Sequence, residues 1–278
     1  MLVKATQFAS LEFTKNQDES YFELLRLATV TDSRIYNDTL RNYAITVFNQ
    51  LPNYLASQKR LMALLLHKAK TLNVFEKLTT EVQQLLTLKT QQAVITELGK
   101  KDQLNRVLKQ FSSNNIAVIL LKGSAFSGVL YTNESPRSSS DIDILVKEQD
   151  WEQAKNCLRS LMKQENKAID GVFADLYEVT FKPTNNSGAV VDLHKALVNP
   201  ILFNINEDDL WKNSVEHPSY NNNRVRMLMP EHALIHQALH AYKDMDFAKY
   251  NLVDSYEIIE SLKRMSLREA SFAMVEPK

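Results

Sequence analysis

Along the first hundred or so residues, apolar positions recur at helical spacing. Tyr21, Phe22, Leu24, Leu25 and Leu27 form one cluster, and Leu61, Leu64, Leu65 and Leu72 form another. Asn49-Gln50-Leu51-Pro52 predicts a break between them, because proline cannot continue a helix. A further helix is expected from about Gln91 to Phe111, with Val94, Leu98, Leu104, Val107, Leu108 and Phe111 on a shared face. Ser112-Ser113-Asn114-Asn115 would end it.

The pattern then changes to short β-branched runs, at Ile116 to Leu121, Ile142 to Val146, Tyr177 to Phe181 and Ala189 to Leu193, which predict strands. Between the second and third, a helix starting near Gln149 is expected, capped by Asp150 and carrying Trp151, Ala154, Leu158 and Leu161. Pro183 to Gly188 suits the loop of a hairpin joining the last two strands. After Asp192 the chain is expected to return to helix, with Pro230 in a first turn. The expectation is an α/β protein of α+β type: a helical region over 1–111, a small mixed-sheet core over 112–196, and a second helical region over 197–278.

Composition narrows the function classes. Lysine plus arginine and aspartate plus glutamate number 33 each, so no overall charge excess marks a nucleic-acid or membrane-surface binder. Cys157 is the only cysteine, which excludes an internal disulfide, and Met1 to Ser20 holds no apolar run of signal-peptide length. With no apolar stretch of about 18 residues either, the expectation is a cytoplasmic protein without membrane association. Gln58-Lys59-Arg60, His67, Lys68 and Lys70 read as a solvated helix face.

Three pieces carry candidate chemistry. Leu121-Lys122-Gly123-Ser124 leaves a strand for a helix, where glycine permits close approach to a ligand and helix-start amides attract phosphate. By itself such a pair is more often just a turn. In Ser140-Asp141-Ile142-Asp143-Ile144, the period of two puts both carboxylates on one face, an arrangement that suits a cation between them and oxygen ligation of Mg2+ or Mn2+. Alone, it also describes a solvated strand start. Asp192, within Val190-Val191-Asp192-Leu193-His194, is an acid in an apolar strand and needs either a partner or solvent. Should that strand lie beside the other, three carboxylates would converge as in a two-metal phosphoryl-transfer site, which requires them within about 5 Å of a common point.

Taken together, these pieces resemble the nucleotidyltransferase superfamily of DNA polymerase beta-like folds. More narrowly, Leu121-Lys122-Gly123, Tyr131, Arg137, Asp141 to Val146 and Val191 to His194, with the later Pro230-Glu231, His236, His240 and Asp254, look like a largely uncharacterised bacterial nucleotidyltransferase-like family. The resemblance implies a nucleotidyltransferase core over 112–196 that transfers a nucleoside monophosphate from an NTP such as ATP, with pyrophosphate leaving. It implies Asp141, Asp143 and Asp192 as catalytic, metal-binding residues, and Gly123, Ser124, Lys122 and Arg137 as nucleotide-binding residues, with Mg2+ or Mn2+ as cofactor. His236 and His240 would line the cleft, and the acceptor would be an RNA, a protein or a small molecule. Analogy within the superfamily adds an antitoxin-type protein partner as an expectation.

His232, His236 and His240 share one helix face at a spacing of four, but the ordinary reading is packing between helices. Cys157 reads as a small apolar helix residue. Two alternatives stay open: an Asp-x-Asp glycosyltransferase using a nucleotide-sugar, and a catalytically inactive nucleotidyltransferase fold serving as a binding module.

Overall fold

The computed structural model describes residues 24, 27, 37–50, 61–131, 139, 141–165, 176–184, 188–243, 255, 258 and 259. The chain gathers into two compact units, Met1–Ile95 with Asn133–Ser138, and Thr96–Thr132 with Ser139–Lys278.

In the first unit, helix α1 (Asp38–Gln50) begins where the Asn37 side chain accepts the Leu40 amide at 3.0 Å, an N-cap. It buries Leu40, Tyr43, Ala44, Val47 and Phe48. Helix α2 (Met62–Thr71) buries Met62, Leu64, Leu65 and Ala69. The Arg41 guanidinium ties α1 to the end of α2 through the Leu72 carbonyl at 3.1 Å. Lys68 is buried, which corrects the expectation of a solvated face at that position, whereas Lys70 is exposed and His67 half-buried, and Gln58 to Arg60 lie outside the described residues. Leu24 and Leu27 are helical and fully buried, while Tyr21, Phe22, Leu25 and Pro52 are likewise outside.

Helix α3 (Thr80–Ser113) is far longer than its apolar pattern predicts, and the division between the units falls within it. Its buried face also differs from the expected one. Leu104, Val107, Leu108 and Phe111 are buried, but Leu98 is 64% exposed and Val94 is exposed. The positions that continue the buried face toward the N-terminus are Lys100 and Gln103, with Glu97 half-buried. A reading that counts only apolar residues passes over a face that is polar for half its length.

The second unit is built on one mixed sheet. Its strands are β1 (Val118–Leu121), β2 (Asp141–Val146), β3 (Met162–Gln164), β4 (Glu178–Pro183), β5 (Val190–His194), β6 (Val215–Glu216) and β7 (Val225–Met227), in the order β3-β4-β5-β2-β1-β7-β6. β5 pairs parallel to β2 and β7 parallel to β1, and the other neighbours are antiparallel. The four expected strands are present, and β4 and β5 form the expected antiparallel pair. The strands not expected from the sequence, β3, β6 and β7, are only two or three residues long and too short to show a period. β6 and β7 also correct the direct return to helix after Asp192.

Helix α4 (Lys122–Phe126) follows β1, and α5 (Trp151–Arg159) follows β2. Asp150 precedes α5 in helical conformation and makes no side-chain cap, and Leu161 falls beyond the helix at 38% exposure, two corrections to the expected element. Cys157 is buried on α5, and burial pushes its thiol up. Helix α6 (Glu207–Asn213) is capped by Asn206, which accepts the Asp209 amide at 3.1 Å. Helix α7 (Pro230–Lys243) starts at proline, where the missing N–H would have had no helical partner. No helix among the described residues is long and apolar enough to cross a membrane.

Candidate active site

The parallel register of β2 and β5 sets Asp143 directly beside Asp192, with Asp141 two residues earlier on the same face of the sheet. One carboxylate oxygen from each of Asp141, Asp143 and Asp192 lies within 4.8 Å of the others, the one cluster of potential metal ligands of this kind among the described residues. Around a single Mg2+, with bonds of 2.0–2.1 Å, ligand oxygens sit about 3 to 4 Å apart, so modest side-chain rotation separates this arrangement from shared ligation. Asp143 is 2% exposed, while Asp141 and Asp192 are half-buried.

A buried carboxylate needs compensation, and Asp143 has it twice. Lys122 Nζ donates to Asp143 Oδ1 at 2.7 Å, and His194 Nε2 lies 3.3 Å from the same oxygen. Burial pushes the Asp143 carboxyl up more than any other single effect. The His194 hydrogen bond and the Lys122 ammonium together outweigh it and hold Asp143 well below the usual carboxylate range. For Lys122 burial again opposes the charge, and Asp143, with help from Asp141 and Glu178, raises it above the usual lysine value.

Asp192 behaves in the opposite way. Burial, with repulsion from Asp143 and Glu178, pushes it up against the stabilising hydrogen bond donated by Thr180 Oγ1 at 2.7 Å. Two adjacent acids thus differ in proton affinity: one is committed to charge, the other is more basic.

Lys122 is placed by the backbone. It follows the last residue of β1, and Leu121 pairs with Asp143, so the next side chain starts beside that acid. Its φ is 48°, the left-handed region, so the conformational demand of this turn falls on Lys122 itself. A non-glycine residue held there costs about 1–3 kcal/mol. Gly123 and Ser124 then enter α4, both buried, and Ser124 Oγ makes no hydrogen bond to any described residue. His217 braces the turn from outside. It takes the Ser219 amide on Nδ1 at 3.2 Å, which leaves Nε2 to donate to the Ala125 carbonyl at 3.0 Å. Burial keeps His217 below the ordinary histidine pKa, consistent with this neutral tautomer.

His236 and His240, on α7, line a hollow shared with Lys122, Glu178, His194 and Phe203. Their rings meet edge to face, with centroids 6.3 Å apart. His236 is pushed down to about 3 by burial first and by the positive charge of Lys122 second. Arg137 and Asp254 lie outside the described residues.

Sequence reasoning gave no role to Thr180, Glu178 or His194. In the antiparallel register Thr180 stands opposite Asp192 and Glu178 opposite His194, and His194 Nδ1 is 3.7 Å from Glu178 Oε2. The signal was available: Glu178 and Thr180 alternate with buried Val179 on a strand whose neighbour carries an acid needing a partner.

Residues 53–273 match the profile of a family described as uncharacterised nucleotidyltransferase. No curated protein matches the chain. Among solved structures, the antibiotic-resistance factor ANT(2'')-Ia is similar at 14% identity and a TM-score of 0.41, over 62% of this chain and 89% of that one. The profile spans most of the chain, including both acid-bearing strands, and the protein therefore belongs to this nucleotidyltransferase family, as an enzyme of nucleotidyl transfer.

Proposed function

We propose that the protein moves a nucleoside monophosphate from an NTP such as ATP to an acceptor hydroxyl, dependent on Mg2+ or Mn2+ held by Asp141, Asp143 and Asp192. The observation that carries this reading is the approach of three carboxylates to within 4.8 Å of one another on adjacent strands. The donor set fits a hard divalent ion, since it offers oxygen only and concentrates negative charge that burial makes costly. Such an ion would neutralise triphosphate charge and favour ionisation of the acceptor hydroxyl.

Asp143 suits permanent ligation because it stays ionised. Asp192, hydrogen-bonded by Thr180 and beside the proposed ion, would orient the acceptor hydroxyl and take its proton as that oxygen attacks the α-phosphorus and the bond to pyrophosphate breaks. Ser124 Oγ, buried and without a hydrogen-bond partner among the described residues, suits a phosphate oxygen. Gly123, Lys122 and Arg137 complete the proposed nucleotide contacts, and His236 and His240 the cleft wall. A sugar-nucleotide reading has no observation of its own in its favour.

The test is incubation with Mg2+, each of four NTPs labelled at the α-phosphate, and cell extract as the acceptor source. Label should pass to an acceptor with the wild-type protein and fail to pass with Asp141→Ala or Asp143→Ala. Equal labelling by wild type and both variants would reject the proposal.

A further inference from the structure

Three polar side chains at intervals of three on α3, Glu97, Lys100 and Gln103, turn into the second unit, where an apolar stripe would be the ordinary choice. The Lys100 side chain is 5% exposed and the Glu97 side chain 15%. Their pairing is bidentate, with Lys100 Nζ 2.9 Å from Glu97 Oε1 and 2.8 Å from Oε2. Both grip Ser139. Glu97 Oε1 accepts its backbone N–H at 2.9 Å, Lys100 Nζ donates to its hydroxyl, and that hydroxyl reaches the Asp141 carbonyl at 3.3 Å.

One turn further along, the Gln103 amide reads both backbone groups of Ala189. It accepts the N–H at 2.8 Å and donates to the carbonyl at 2.6 Å, as a neighbouring strand would. The approach depends on Gly188, whose φ is 143° and where an added Cβ would collide with Gln103 Oε1.

The two grips flank one place. β2 starts at Asp141, β5 starts at Val190, and these two residues are the first rung of the parallel pairing that carries Asp143 beside Asp192. A slip of one residue would turn Asp192 to the opposite face of the sheet. Inside-outside alternation ordinarily prevents a slip, but β2 is buried at every position after Asp141, on both faces, so alternation pins it weakly. A buried ion pair contributes little net stability, and its best-attested use is in fixing register.

We infer that Glu97, Lys100 and Gln103 are positioning residues: through Ser139 and Ala189, α3 clamps the first rung of β2 and β5 and so sets the spacing of the three carboxylates. The functional half of this inference rests on the proposed metal site, and the structural half does not.

The experiment compares Lys100→Met and Gln103→Leu with Val107→Ala, a control on the apolar half of the same helix, in the full-length protein. Amide hydrogen exchange in β2 and β5 is read alongside Mn2+ affinity by electron paramagnetic resonance, with Asp143→Ala as the reference for site binding. The clamp variants are expected to speed exchange at 141–143 and 190–192 selectively and to weaken Mn2+ binding by roughly 10-fold, as loss of groups that orient metal ligands does. Lys100→Arg should recover part of both effects. Unchanged exchange at those amides, or faster exchange with wild-type Mn2+ affinity, would overturn the inference. A protein whose Mn2+ binding is absent, or is the same in Asp143→Ala, would overturn the metal site and the functional half with it, while the exchange arm still decides the clamp. Should Gln103→Leu not fold, Gln103→Glu, which keeps the acceptor and loses the donor to Ala189, gives the same two readings.

Discussion

Asp143 accepts hydrogen bonds from Lys122 and His194 at one oxygen and stands beside Asp192 across the parallel pair. Lys122 therefore already supplies part of the positive charge that the carboxylates call for. Removing it leaves a buried acid without its main counter-charge, a change that destabilises by about 3–5 kcal/mol. Lys122→Met should accordingly lower Tm in chelator, and added Mg2+ should raise the variant's Tm by more than the wild type's. Equal shifts in a thermal melt would argue against a cation site at these acids.

His236 gives a pH signature. Its folded pKa, about 3, lies below the ordinary 6.5, so the fold binds the neutral ring and the unfolded chain binds the proton more readily. Its contribution is present above pH 6.5 and is lost as pH falls toward 3, by about 2 kcal/mol between pH 6.5 and 5. Urea unfolding of His236→Gln at pH 7 and pH 5 should show a smaller acid loss than wild type. An unchanged difference between the two pH values would refute a neutral His236. At this scale the sequence was informative about the acids, because Asp-x-Asp fixes a common face whatever the fold. It was uninformative about their partners, because Thr180, Glu178 and His194 acquire roles only through cross-strand register.

Among the elements, the turn after β1 concentrates unusual backbone. Lys122 takes φ 48°, and Gly128, which closes the segment by donating its N–H to the Tyr131 carbonyl at 2.9 Å, takes φ 76°. A Cβ at Gly128 would meet Ser219 Oγ at 2.8 Å, but that atom ends a side chain that can rotate away. The backbone angle is the lasting obstacle, so Gly128→Ala should destabilise by about 1–2 kcal/mol. Adding Ser219→Ala should recover little of it in chemical denaturation; full recovery would assign the penalty to the contact instead. Helix α3 shows why elements are harder to read than motifs. Leu98 is apolar and exposed, while Lys100 is charged and buried, because the helix meets polar groups of Ser139 and Ala189 that Glu97, Lys100 and Gln103 satisfy.

For the whole molecule, the decisive fact is the strand order. A sequence can show that Asp192 sits in a strand but not that the strand lies parallel to β2, since 43 residues separate Val146 from Val190 and the crossover rules allow several neighbours. The same order explains how an uncharged chain overall, with 33 residues of each sign, still gathers acids at one point.

Cys157, buried on α5, is the only thiol in the chain. It is consequently a built-in stopwatch: a thiol-reactive dye reaches it when the packing around α5 loosens, so labelling rate reports that loosening without any engineered probe. A ligand that binds the closed form and not the opened one slows that opening by mass action, by up to about 100-fold when it stands at 100 times its Kd. Mg2+ with the correct NTP should slow labelling far more than Mg2+ with the other three, which turns the cysteine into a means of finding the donor before any acceptor is known. Labelling rates that ignore all four nucleotides would argue against a nucleotide whose binding is coupled to the packing of α5.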